Sequence, residues 1–157
     1  MSLTRSLDFA ELGQGQIRKL FYHPAQERLF FTTTLQHAVQ TFSLKDSELL
    51  DAAPVHPSPP NVFAVSPACD LLVSASADPP TIYLSRIAYK QPPLLFIPSC
   101  SDAAVIAMAF HPTRSNIFSL GFQDGTLAAY NATIVPGDEN IEERIIESRN
   151  GEIFHQI

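Results

Sequence analysis

Two aspartates and two histidines are the side chains whose types could carry out catalysis or bind a metal ion. Asp78 and Asp124 could act as paired carboxylates in general acid–base chemistry, which requires the two groups to lie close together. His23 and His111 each precede a proline, and no H-x-E, C-x-x-C or H-x-x-x-H spacing supplies further metal ligands. The role of these four side chains therefore depends on the elements that carry them.

Nucleophilic and phosphate-binding sites are not indicated either. Ser74 and Ser76 lie in an apolar run without the G-x-S-x-G elbow that exposes a nucleophile. The segment Gly13-Gln14-Gly15-Gln16 lacks the third glycine and the following helix of a dinucleotide-binding loop. We therefore predict no catalytic, cofactor-binding or metal-binding residues, and a protein that is not an enzyme.

A repeated order of short strands organises the chain. Pro24, Pro67 and Pro112 each follow a predicted first strand and lie 43 and 45 residues apart. The segment 105–131 predicts three short strands separated by the turns HPTRSN and QDG. A period of roughly 40 to 45 residues is typical of a radial array of β-sheets. Asp78 and Asp124 would then lie a whole sheet apart, and we expect them to stabilise turns.

The repeat predicts three consecutive four-stranded antiparallel sheets. Short loops between strands favour a meander, and no helical crossover of a dozen residues is visible. Apolar residues on both faces of several strands indicate sheets that are covered on both sides. The predicted strands are 17–22, 28–34, 37–44 and 47–51, then 61–66, 70–76, 80–87 and 93–97, then 105–110, 116–122, 125–131 and 144–147.

The acidic stretch 138–150 has two interpretations. It could form a helix capped by Asp138, with Ile141 and Ile145 on one face. Alternatively, residues 144–147 form the fourth strand of the third sheet, and a charged loop precedes them. We favour the strand, because the first two sheets carry a pair of leucines at the same point of the repeat.

Charge and composition disfavour nucleic-acid and membrane partners. The 157 residues carry a net charge of −6, and residues 138–152 hold six acids against two arginines. No basic patch is present, so direct contact with DNA or RNA is disfavoured. The longest apolar run, 103–110, is far shorter than a membrane span, and no secretory signal is visible, so we expect a cytoplasmic or nuclear protein.

The acidic stretch 138–152 is most simply a solvated segment. The alternative is a docking site for a basic partner.

The three blocks resemble the repeats of WD40 proteins, in a degenerate form. The family has His-Pro or Ser-Pro at its first turn, Asp-Gly at its second, a loop histidine about eleven residues before the first turn, and Trp-Asp in its third strand. The matching residues are His23-Pro24, Ser66-Pro67, His111-Pro112, Asp78, Asp124-Gly125 and His56. The Trp-Asp positions are held by Phe42-Ser43, Leu84-Ser85 and Tyr130-Asn131. The resemblance covers residues 17–131 and, weakly, the rest.

The resemblance implies a hydrogen-bond network of His, Ser, Asp and Trp in each blade of a β-propeller. This chain has no tryptophan, so no blade can complete the network. A partial network is expected between His56 and Asp78 in the second blade, and Asp124 is expected to bond amides of its own turn in the third. His56, Asp78, Asp124 and Gly125 are thus predicted to be structural residues of the repeat.

The resemblance also implies a non-catalytic scaffold that binds other proteins. The family's usual contact surface is the rim that carries the loops into each repeat and the second turns. In this chain that rim offers Gln16, Arg18, His56, Ser101, Asp102 and Gln123.

Two alternatives to the scaffold function stay open. One is an enzyme, in which polar groups such as His56, Asp78, Asp102 and Asp124 would converge on one pocket. The other is a fragment with no independent function.

These expectations divide the chain into six segments. The predicted segments are 1–16 (an N-terminal strand and lead-in loop), 17–51 (first blade), 52–60 (a proline-rich loop), 61–97 (second blade), 98–148 (third blade with an acidic loop) and 149–157 (the start of a fourth repeat). Propellers usually need roughly four to eight blades to close. We therefore expect an all-β, WD40-like segment of about three blades, an incomplete propeller that missing blades or other chains would close.

An incomplete propeller predicts how the isolated chain behaves in solution. Three blades without a fourth leave an apolar face uncovered at each end, and uncovered apolar faces associate. We therefore expect the isolated 157 residues to form oligomers or aggregates on size-exclusion chromatography and to unfold without one sharp thermal transition. A soluble monomer with a single cooperative transition would contradict this expectation and indicate that the array closes on itself.

Overall fold

The structure of this chain, a computed structural model, describes residues 15–50, 54–87, 92–135 and 137–147. Every regular element in these ranges is a β-strand, and no helix there is long and apolar enough to cross a membrane. The strands are β1 (Ile17–His23), β2 (Arg28–Thr33), β3 (Gln40–Ser43), β4 (Glu48–Leu50), β5 (Val62–Val65), β6 (Leu71–Ala77), β7 (Pro80–Arg86), β8 (Leu94–Phe96), β9 (Val105–Phe110), β10 (Ile117–Phe122), β11 (Leu127–Val135) and β12 (Asp138–Glu147).

The twelve strands form three four-stranded antiparallel sheets, which confirms the prediction. Within each sheet the strands lie in chain order, β1-β2-β3-β4, β5-β6-β7-β8 and β9-β10-β11-β12. A short turn therefore joins each strand to its neighbour, as in a meander. The turn between β1 and β2, for example, brings His23 directly opposite Arg28. No sheet of the described ranges closes on itself.

The fourth strand of the third sheet differs in part from the prediction. The acidic stretch is a strand and not a helix, but β12 begins at Asp138 instead of residue 144, so the predicted charged loop is wrong. β11 continues to Val135, and Gly137 has a φ of 83°, a left-handed conformation that suits glycine in a tight turn. Pairing then runs without a loop from Val135 opposite Asp138 to Leu127 opposite Glu147.

Apolar side chains fill the spaces between neighbouring sheets. Phe30 of the first sheet packs with Phe63 of the second in one buried cluster. A larger cluster joins the second sheet to the third and includes Val73, Phe118 and Leu120. The second sheet is thus covered on both faces, and β6 is buried at every position except its last. This explains the apolar and small residues that the sequence places on both faces of that strand.

The first strands of the three sheets lie next to one another. The Lys19 ammonium on β1 donates to the Phe63 carbonyl at 2.9 Å and lies 5.2 Å from the centre of the Phe63 ring. The Asn61 side chain, just before β5, donates to the Val105 carbonyl on β9 at 3.1 Å. Because each sheet has its first strand on this line, its fourth strand forms the outer edge, and the sheets fan out from the first strands.

The first and third sheets each expose apolar side chains on their first strand. Leu20 and Tyr22 of β1, which alternate with Lys19, are exposed, and so is Ile106 of β9. In a closed propeller the corresponding faces are covered by further blades. The described chain is therefore an open array of three sheets, in agreement with the predicted open segment.

Replacing Leu120 by alanine should destabilise the second and third sheets. Leu120 is fully buried in the cluster between them. Removing a buried leucine side chain costs roughly 2–5 kcal/mol, because the lost transfer energy and the cavity add. The shift of the urea midpoint of the natural full-length protein, followed by circular dichroism, measures the change.

The matched control is Leu35→Ala. Leu35 is 58% exposed, so we expect this variant to change the free energy of unfolding by about 0.5 kcal/mol or less. Equal losses in the two variants would contradict the assignment of Leu120 to a shared core.

Candidate functional site

One end of the array carries the loops that lead into each sheet and the second turn of each sheet. In an antiparallel meander these segments lie at the same end of the strands. We call this end the upper rim; it comprises residues 34–39, 54–61, 78–79, 97–104 and 123–126. The opposite end, the lower rim, carries the first and third turns of each sheet.

His56 fastens the connection between the first two sheets onto β6. The ring is buried, with Nε2 at 2.8 Å from the Ser74 hydroxyl and Nδ1 at 3.1 Å from the Ser76 hydroxyl. It packs edge-on against Tyr83 at 4.9 Å between ring centres, and its backbone N–H donates to the His37 carbonyl at 2.7 Å. Burial lowers the pKa of His56 to about 4, so the ring is neutral at pH 7.

The expected pairing of His56 with Asp78 is wrong. Ser74 and Ser76 are alternate residues of β6, so both hydroxyls project from the same face of the strand and occupy the two ring nitrogens. Asp78 lies beyond the end of β6, exposed in the turn to β7. The serines therefore supply the hydrogen bonds that the resemblance assigned to the aspartate.

Ser101 and Asp124 join the loop that leads into the third sheet to the turn between β10 and β11. The Ser101 hydroxyl donates to Asp124 Oδ2 at 2.8 Å and accepts from the Ala103 N–H at 3.0 Å. Asp124 Oδ1 accepts from the Thr126 N–H at 3.0 Å, the bond of an Asx-turn. Gly125, between them, has a φ of 91°, which favours glycine. Loop and turn thus hold each other in place.

Tyr130 stands where the WD40 pattern has tryptophan. It is buried between Phe96 and Phe118, with ring centres 5.0 and 5.3 Å away. Its hydroxyl donates to Glu143 Oε2 at 2.9 Å, while the other carboxylate oxygen accepts from the Ser99 hydroxyl. Burial raises the pKa of Tyr130, so the phenol stays a donor. The sequence did not single out Ser99 or Glu143, because Glu143 is one acid among several.

The six residues predicted to bind a partner divide into exposed and buried side chains. The exposed ones are Gln16, Arg18, Asp102 and Gln123. His56 and Ser101 are buried, and the hydrogen bonds described above engage their side chains. These two residues shape the upper rim without presenting a side chain to a partner.

A cleft of about 660 Å³ opens on the upper rim of the second sheet. Its walls are the two connections 54–61 and 97–104 together with parts of β7 and β8. Most of the lining is apolar and includes Val55, Leu95 and Ile97. The cleft combines segments that are distant in the sequence, which is why the sequence did not predict it.

The polar side chains that could carry out chemistry do not converge on one pocket. His56 and Asp102 line the cleft, whereas Asp78 and Asp124 belong to the turns of different sheets. Within the described ranges, no three His, Cys, Asp or Glu residues lie close enough to share a metal ion. Among the described residues, the side chains best suited to acid–base chemistry therefore lie apart, and the cleft is a shaped, mostly apolar surface.

The buried, neutral His56 predicts that stability falls with pH between 6.5 and 4. Its folded pKa of about 4 lies below the ordinary 6.5 of an unfolded chain, so the unfolded chain binds more protons in this window and the free energy of unfolding rises with pH there. This difference between the folded and unfolded pKa of His56 corresponds to roughly 3 kcal/mol in the free energy of unfolding. That contribution is present above pH 6.5 and lost by pH 4. Urea unfolding at several pH values measures it.

Carboxylates titrate in the same range, so the test compares variants. His56→Gln removes the titrating group. The difference in the free energy of unfolding between this variant and the wild type should therefore change by roughly 3 kcal/mol between pH 6.5 and pH 4. His111→Gln, at a histidine in the first turn of the third sheet on the lower rim, leaves His56 and its two serine partners in place, so the pH dependence attributed to His56 should remain. Parallel curves for the wild type and His56→Gln would contradict the assignment.

Comparisons with known proteins identify the fold. No protein-family profile matches the sequence, and no curated protein is significantly similar to it. The β-propeller domain of Cps50 (Swd1) from Myceliophteria thermophila superposes with a TM-score of 0.68 at 12% identity over 92% of this chain. The WD40 repeats of RRP9 give a TM-score of 0.65 and U3-55K gives 0.66, each at 18% identity over 86% of this chain.

The chain spans 42% of the length of each of these three structures. At such identities the similarity establishes the fold alone. The three sheets, with their first strands side by side, match consecutive blades. The described part of this chain therefore has the fold of a WD40-type β-propeller, as an open segment of three blades.

Proposed function

We propose that this chain is a non-catalytic scaffold of the WD40 type that binds other proteins through its upper rim. The observation that carries the proposal is the construction of that rim. Its loops are held by the hydrogen bonds of His56 to β6, of Ser101 to Asp124 and of Ser99 to Glu143, while Asp102 and Gln123 face solvent. A surface that is held rigid in its binding conformation loses little entropy when a partner docks.

The use of the polar residues supports a binding role over a catalytic one. His56 and Asp124 are the side chains best suited to acid–base chemistry, and both are engaged in holding loops and turns. A general base must reach a substrate proton within hydrogen-bond distance. The neutral, buried ring of His56 instead bonds Ser74 and Ser76 and so holds the connection 54–61 in position.

We also infer that the chain acts as part of a larger propeller, located in the cytoplasm or nucleus. Its span of 42% of the similar structures and the exposed apolar residues of its end sheets support this inference. The blades would be 17–51, 61–97 and 98–148. The predicted strands within 1–14 and 149–157 lie outside the described residues, and we propose that these segments complete neighbouring blades. Missing blades or other chains would then cover the two end faces.

Changing two exposed residues of the upper rim should remove partners. Asp102→Lys combined with Gln123→Ala alters charge and hydrogen bonding without touching the core. Affinity purification of the tagged natural full-length protein, followed by quantitative mass spectrometry, should show about a tenfold lower recovery of specific partners.

The matched control lies on the lower rim. Asp138→Lys combined with Gln26→Ala makes the same changes at an exposed aspartate and an exposed glutamine of that end, and partner recovery should stay at the wild-type level. Equal recovery with both double variants would contradict the proposal. Saturable turnover of a substrate, abolished by a change at His56 or Asp124, would replace it by the enzyme alternative.

A further inference from the structure

We propose that the cleft on the upper rim of the second sheet binds an extended peptide segment of a partner protein, in which a bulky apolar side chain stands beside a lysine or arginine. This inference rests on the proposed scaffold function and adds the chemistry of the partner. The cleft volume of about 660 Å³ is large enough for a few side chains of such a segment.

The apolar part of the inference comes from three aliphatic side chains at the cleft. Val55 is 71% exposed, Leu95 is 52% exposed and Ile97 is 79% exposed, and all three line the cleft. Scattered exposed aliphatic residues are ordinary, but three at one concave surface indicate a place where apolar surface becomes buried on binding. A bulky apolar side chain of the partner is the group that would gain most from contact with them.

The walls of the cleft are preformed. His56, bonded to two serines of β6, fixes the connection on one side. Ser101, bonded to Asp124, fixes the connection on the other side. Pro57 and Pro98 lie in the same two connections and line the cleft, where their rings restrict the backbone. A peptide therefore meets a surface that does not need to be ordered on binding.

The charge of the cleft points to a cationic neighbour of the apolar side chain. Asp102 is exposed and lines the cleft, and no lysine or arginine is among the lining residues. His56 adds no positive charge at pH 7, because burial lowers its pKa to about 4. The local potential is therefore negative, as is the net charge of −6 on the whole chain. A lysine or arginine complements it.

The outer edge of the second sheet favours a polypeptide over a small molecule. β8 is the last strand of its sheet, and no further described strand pairs with its outer side. Leu95 and Ile97 of this edge line the cleft. An extended chain lying along such an edge gains main-chain hydrogen bonds as well as a pocket for one side chain.

Selection from a phage-displayed library of random peptides of about 12 residues, against the natural full-length protein, tests the inference. Enriched peptides should share a large apolar residue with a lysine or arginine within about two positions. Enrichment of peptides without a basic residue, or no enrichment at all, would overturn it.

Synthetic versions of the enriched peptides are then titrated against matched variants by fluorescence anisotropy. Val55→Asp should weaken binding about tenfold or more, whereas Val135→Asp, at a 50% exposed valine on the lower rim, should leave it unchanged. Asp102→Lys should weaken binding, and a peptide with its basic residue changed to glutamate should regain affinity for that variant. Asp138→Lys is the matched charge control.

Two outcomes separate this inference from the function on which it rests. If no selected peptide responds to Val55→Asp, while cellular partners still depend on Asp102 and Gln123, the scaffold function stands and the peptide cleft is wrong. If Val55→Asp instead abolishes self-association on light scattering, the cleft binds a second copy of the chain and the inference is overturned.

Discussion

Packing of each sheet against the face of the next is the interaction on which the rest of the structure depends. The second sheet is buried on both sides, with Phe63 packed toward the first sheet and Val73 toward the third. A strand such as β6, buried almost throughout, cannot be stable in an isolated sheet. The contacts between sheets, such as the bond from Asn61 to the Val105 carbonyl, exist only because the faces are packed.

The blades fasten their loops by different polar contacts and with the same result. In the second blade a histidine bonds two serines, and in the third Tyr130 bonds Glu143, which also accepts from Ser99. Neither arrangement reproduces the His–Ser–Asp–Trp network of the WD40 pattern. Both blades keep hydrogen bonds between polar side chains of a loop and of a strand, and a buried group such as His56 left unpaired would cost about 1–3 kcal/mol. The fold therefore tolerates loss of the consensus residues.

The strand positions could be predicted because turn residues recur at a fixed period, and the structure places the strands within a few residues of the predictions. The sequence does not indicate the start of β12, because a run of acids is typical of a loop, although an outer strand exposes acidic side chains to solvent equally well. Ser74 and Ser76 are two residues apart in a strand, so their side chains share one face and can both bond His56. The WD40 pattern points to an aspartate partner instead. The cleft could not be predicted, because Val55 and Ile97 belong to two connections that are distant in the sequence and come together only in the folded chain.

β12 forms the outer edge of the third sheet, and an edge strand can recruit another strand through its free backbone groups. Its exposed residues include Asp138, Glu139 and Glu142. Two copies meeting along this edge would bring carboxylates close to carboxylates, and like charges opposite one another are unfavourable in a sheet. Electrostatic repulsion thus discourages growth of the sheet sideways, whereas the apolar faces remain free to stack. Association of copies at the third sheet is therefore directed to add blades rather than strands.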